Sequence, residues 1–100
     1  MRYDKLVRDK IPEIINKRGE KCKVHIAGDK EYWEKLKEKL FEEIKEFNEE
    51  ETMGEMADIL EIIDAMCRHK KFNLKKLETV KKQKARERGG FKKKIILEES

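Results

Sequence analysis

One hundred residues, of which 37% are hydrophobic and 48% charged, suffice for one modest core and not for two. Basic residues outnumber acidic ones by 26 to 22, leaving +4, but the two signs are interleaved, which argues against a dedicated polybasic tail. Two cysteines build no disulfide framework, and neither a signal peptide nor an apolar run of about 18 residues is legible, so the expectation is a soluble, cytoplasmic chain.

So polar a composition also suits disorder, but the apolar positions recur with helical period, which favours folded helices. Abundant Lys and Glu beside a single Gln resembles thermophile composition. The opening MRYDKLVRDKI is a basic arm carrying Arg2, Lys5, Arg8 and Lys10, with Leu6, Val7 and Ile11 available for packing. Pro12 suits a first helical turn, and that helix is expected to reach about Lys17 and end at Gly19. Residues 23–26, Lys-Val-His-Ile, alternate polar and apolar, which predicts a short strand with residues 94–97 as its partner. His25 then sits on a strand surface. Cys22-x-x-His25 and Cys67-x-His69 are poorly spaced for zinc, so both thiols are expected to be incidental.

Asp29 reads as the N-cap of a long helix over 30–49. At 100° per residue, Trp33, Leu36, Leu40, Ile44 and Phe47 form one stripe, and Glu43 falls inside it. Glu46 borders the stripe, while Glu42 and Lys45 point away. Trp33 is a core aromatic on composition alone, with a second reading as a ring that stacks on a nucleobase. After a connection within 48–52, a helix over 53–70 groups Glu55 and Asp58 with Ile59, Ile62 and Met66, turning Glu61 and Asp64 to the opposite side. Its other flank, Met56, Leu60, Ile63 and Cys67, calls for a further helix or a second subunit. Asn73 caps a last helix to about Arg88, with Leu74, Leu77 and Val80 inward, and Gly89-Gly90 ends it before Phe91. Lys81, Lys84, Arg86 and Arg88 load its end with positive charge, which also suits the negative pole of the helix dipole.

Glu43-x-x-Glu46 and Glu55-x-x-Asp58 lie symmetrically about the connection. An antiparallel helical hairpin would set Glu46 opposite Glu55 and Glu43 opposite Asp58. Four carboxylates converging between helices repel one another and are costly to desolvate, so they call for a cation. All-oxygen ligation suits Mg²⁺, with Mn²⁺ as a substitute. For Glu55 there is a rival account. Thr52-x-x-Glu55 is also a capping-box pattern, in which the carboxylate folds back on the Thr52 backbone.

E-x-x-E followed after a short gap by E-x-x-D resembles the metal-binding signature of the MazG-like all-α nucleotide pyrophosphohydrolase superfamily. YDKLVRDKIPEII and KKQKARERGGFKKKIIL are similar to the ends of its small house-cleaning, phosphoribosyl-ATP pyrophosphohydrolase-like members, so the resemblance spans roughly residues 3–97. It implies a single all-α domain over residues 1–100, built on a helix hairpin and associating as a dimer or tetramer. It also implies Mg²⁺ on Glu43, Glu46, Glu55 and Asp58, and cleavage of a nucleoside triphosphate to monophosphate and pyrophosphate. Glu43, Glu46 and Glu42 become the catalytic candidates, with Glu42 or Glu46 orienting the attacking water. Lys5, Arg8, Lys10, Lys84 and Arg88 become candidate phosphate contacts. Phosphoribosyl-ATP hydrolysis in histidine biosynthesis is the nearest alternative. A small basic helical nucleic-acid-binding protein and a purely structural bundle are the rivals from other classes.

Overall fold

A computed structural model describes residues 4–100, so the expectations placed on Arg2 and Tyr3 lie outside the described residues. The described residues are all-α, with α1 Ile11–Lys17, α2 Asp29–Glu49, α3 Met53–His69 and α4 Leu74–Arg88. They divide into two compact units, one reaching His69 and the other running Lys70–Ser100.

In the first unit Pro12 falls in the opening turn of α1, where a missing N–H costs nothing. The helix stops where Gly19 adopts φ +80°, a left-handed conformation that an L side chain resists. The long helix begins one residue earlier than expected. Gly28 holds the N-cap position with no side-chain cap, and Asp29 is already helical, supporting the positive end through its charge instead of capping it. At the next helix the Glu55 N–H donates to Thr52 Oγ1 at 3.2 Å, a side-chain N-cap for α3.

α2 and α3 pack on each other across a connection of residues 50–52. Leu36 of α2, 1% exposed, and Cys67 of α3 are the buried apolar centre. The start of α2 meets the end of α3 through rings. The His69 imidazole stacks on Trp33, with centroids 5.3 Å apart and planes at 13°, and meets the edge of Tyr32 at 5.4 Å. The other flank of α3 is bare within this unit: Met56, Leu60 and Ile63 are exposed, as are Phe41 and Ile44 on α2.

The expected strands do not form. Residues 23–26 and 94–97 carry no ladder, Lys94 turns through a left-handed φ of +58°, and Ile26 is 93% exposed. Alternation supplies two faces, but without a backbone partner and a surface to cover neither face gains anything from burial.

The second unit is α4 with its flanking chain. Asn73 Oδ1 accepts from the Lys76 N–H at 3.0 Å, the expected N-cap, and Gly89 closes the helix at φ +80°. Leu74, Leu77 and Val80 share one face of α4 and remain exposed within this unit, as does Phe91. No helix among the described residues is long and apolar enough to cross a membrane.

Candidate functional site

Within the first unit a cleft of about 390 Å³ opens beside the contact of α2 and α3. Tyr32, Leu36, Lys39 and Glu43 enter it from one stripe of α2, Asp58, Ile62 and Ala65 from α3, and Leu6 to Lys10 from the arm before α1. At its acidic end one carboxylate oxygen from each of Glu43, Glu55 and Asp58 lies within 4.8 Å of the others. Helical spacing explains this convergence, since Glu55 and Asp58 are one turn apart on α3 and Glu43 shares the Leu36 stripe of α2.

Glu43 is the unusual member. It is buried, only 6% exposed, on a chain where acids otherwise sit at or near the surface. Lys39, one turn back, holds its Oε1 at 3.2 Å, but its Oε2 is buried with no hydrogen-bond donor. Glu55 also has a buried Oε2 without a donor. The capping-box account therefore holds by half. Thr52 caps α3, whereas the Thr52 N–H donates to Glu50 O at 2.9 Å, leaving the Glu55 carboxylate to the cluster.

Among the described residues, the carboxyl groups of Glu46 and Glu55 are pushed away from their ordinary value. Burial raises the Glu46 carboxyl above its ordinary value, and the Glu43 charge, a hydrogen bond shared with Glu43 and the charges of Glu55 and Glu42 push it the same way. Glu55 is raised too, by burial first and then by Asp58, Glu43 and Glu50. Every cause has one sign. The cluster holds more negative charge than its surroundings neutralise.

Positive charge arrives from the arm. Arg8 Nη2 donates to Asp58 Oδ1 at 2.7 Å, and Lys5 Nζ lies 3.8 Å from Glu42 Oε1. Lys10 lines the cleft beside Arg8, and Lys39 and Arg68 add two further cations. Lys84 and Arg88 lie exposed on α4, in the second unit.

Of the expected metal ligands, Glu43, Glu55 and Asp58 come together, while Glu46 stands beside them as a charged neighbour, outside the 4.8 Å set. Glu42 faces Lys5 and Lys39, not the three acids. Trp33 is stacked on His69, and the aromatic wall of the cleft is the preceding residue, Tyr32. Glu61, expected on the opposite side, also lines the cleft, because the arm builds a rim over that edge of α3. Tyr32, Lys39 and Arg68 were not singled out from the sequence. The stripe of residues 32, 36, 39 and 43 on α2 would have indicated the first two, since its spacings of four, three and four follow one helical face.

Fit to a hard divalent cation rests on donor chemistry: three carboxylates within reach of one point, two of them with a buried oxygen that has no donor. No protein family, curated protein or solved structure matches the chain.

Proposed function

We propose that the chain is a Mg²⁺-dependent nucleotide pyrophosphohydrolase of MazG-like type, acting on a nucleoside triphosphate to release nucleoside monophosphate and pyrophosphate. The observation that carries this reading is the buried, donorless Oε2 of Glu43 at the centre of three convergent acids. Lys39 offsets part of the charge through Oε1, but a buried oxygen left without a donor still costs about 1–3 kcal/mol, which a bound cation would recover.

Glu43, Glu55 and Asp58 would hold the ion, with Glu46 beside them. A bound Mg²⁺ supplies charge to phosphate oxygens and to the diphosphate leaving group. Lys10 and Arg68 on the rim offset the negative charge of a polyphosphate, and Lys39 keeps Glu43 fixed. Tyr32 presents an apolar wall against which a sugar or base can lie. Glu46, with its raised affinity for protons, is the better placed of the two remaining acids to take a proton from an attacking water; Glu42 is drawn instead to Lys5. Attack at the α-phosphorus then separates monophosphate from pyrophosphate with no covalent enzyme intermediate.

The same reading takes the α2 and α3 pair as an antiparallel hairpin that completes its core against a second copy, in the cytoplasm. Support comes from the small buried centre of the first unit beside the exposed Met56, Leu60 and Ile63 flank. Sedimentation of the pure protein tests that part, and a monomer at micromolar concentration removes it.

The deciding experiment incubates the protein with a nucleotide panel and Mg²⁺ and separates pyrophosphate from orthophosphate. Pyrophosphate as first product is expected, and orthophosphate as first product rejects the proposed cleavage. Including phosphoribosyl-ATP in the panel separates the two substrate readings.

A further inference from the structure

The Arg8 to Asp58 contact joins residues 50 positions apart, so the arm before α1 is folded over the mouth of the acidic cluster. Its position is anchored by backbone, because Arg8 O accepts from the Ile11 N–H at 3.0 Å where the arm turns into α1. The guanidinium sits 2.7 Å from an oxygen of one of the three convergent acids, while the other two each keep a buried oxygen with no donor. Arg8 therefore neutralises only one acid of the three. A divalent ion drawing on all three acids must share Asp58 with Arg8 or displace it, since two cations at one carboxylate repel each other.

Displacement needs no unfolding. The Arg8 and Asp58 side chains are 57% and 38% exposed, and a guanidinium's planar fork fits phosphate as well as carboxylate. The cleft beside Arg8 is bordered by Lys10 and Arg68 as well as by Asp9 and Glu61, and the two cations give a phosphate a place on the same rim, within reach of Arg8. We propose that Arg8 is a transferable cation, which holds Asp58 while the cluster lacks a divalent ion and passes to a phosphate oxygen when metal and phosphate bind together. This rests on the reading of the cluster as a divalent-cation site. It adds a coupling: metal alone binds against Arg8, phosphate draws Arg8 away, and each ligand therefore raises the affinity for the other.

The test is Mn²⁺ binding to the full chain, followed by the electron paramagnetic resonance of the free ion, with and without inorganic phosphate. Without phosphate, Arg8→Ala is expected to bind Mn²⁺ about two- to fivefold more tightly than wild type, the factor that an exposed ion pair can withhold. Phosphate is expected to tighten Mn²⁺ binding to wild type, and that effect to be smaller in Arg8→Ala, where only the direct contact of ion and phosphate remains, and intermediate in Arg8→Lys. Lys17→Ala, which breaks only the α1 surface pair with Glu13, is expected to follow wild type. Unchanged Mn²⁺ affinity in Arg8→Ala, or weaker binding, overturns the proposal while leaving the metal site standing. Absence of Mn²⁺ binding in every variant overturns both. Circular dichroism checks that the helices persist, and Arg8→Lys carries the test if Arg8→Ala does not fold.

Discussion

Glu43→Gln separates the energetic role of the buried acid from its ligand role, because the amide keeps the shape and removes the charge. At 4.8 Å, the outer limit for the Glu55 and Asp58 oxygens, one like-charge repulsion is worth about 3.5 kcal/mol at an effective dielectric of about 20 and about 0.9 kcal/mol in water. The attraction to Lys39 at 3.2 Å is worth about 5 and about 1.3 kcal/mol on the same two scales. Asp58 is already offset by Arg8, which leaves Glu55 and the neighbouring Glu46 as uncompensated repulsions against one attraction. The Glu55 repulsion alone is smaller than that attraction, so the balance is tipped by the added repulsion from Glu46 and by relief of the desolvation of Glu43. Glu43→Gln should therefore stabilise the metal-free protein by about 1 kcal/mol, a rise in Tm of roughly 4–8 °C. Saturating Mg²⁺ should reverse the order. Binding at a hundredfold excess over Kd adds about 2.7 kcal/mol to wild type and nothing to a variant that cannot hold the ion. Thermal melts in chelator and in Mg²⁺, run side by side, give both numbers. An equal Mg²⁺ shift in the two proteins refutes the ligand role. A Glu43→Gln variant less stable than wild type in chelator refutes the repulsion argument.

The raised carboxyl groups predict how metal-free stability responds to pH. Glu46 and Glu55 bind protons more tightly folded than unfolded, so their contribution is fully present below the ordinary value of 4.5 and is lost as pH rises through their raised folded values. Melts in chelator should therefore show a higher Tm just above pH 4.5 than at pH 7, and a Tm flat across that range counts against the shifts. Trp33→Ala should destabilise by about 1–3 kcal/mol, through lost packing and the lost His69 stack, with nucleotide affinity unchanged. Tyr32→Ala should weaken nucleotide binding about tenfold, through the lost ring surface, at a smaller stability cost that reflects only its edge contact with His69. Loss of nucleotide binding in Trp33→Ala would return the base-stacking role to that residue. Thr52→Ala should cost about 1 kcal/mol in urea unfolding by removing the α3 cap. Because the Glu55 carboxylate does not take part in that cap, Mg²⁺ affinity should be unchanged.

Local signals determined most of the helices. Pro12 and Gly19 bracket α1, Asn73 and Gly89 bracket α4, and the 3.6-residue period marks α2 and α3, because helix formation depends on neighbours within a turn. The same period was enough to set Glu43 among apolar residues and Glu55 with Asp58 on one face. Residues 23–26 and 94–97 misled for the complementary reason. A strand is defined by its partner, and alternation carries no information on whether a partner is present. Only the tertiary structure decided that Glu43 is buried with one oxygen lacking a donor, that Glu46 stands outside the closest three acids, and that Tyr32 rather than Trp33 walls the cleft. It also decided that Arg8 reaches Asp58 across 50 residues. Burial, hydrogen-bond satisfaction and ion pairing depend on which atoms from distant parts of the chain arrive at one place, and helical spacing sets only which face of a helix is offered to them.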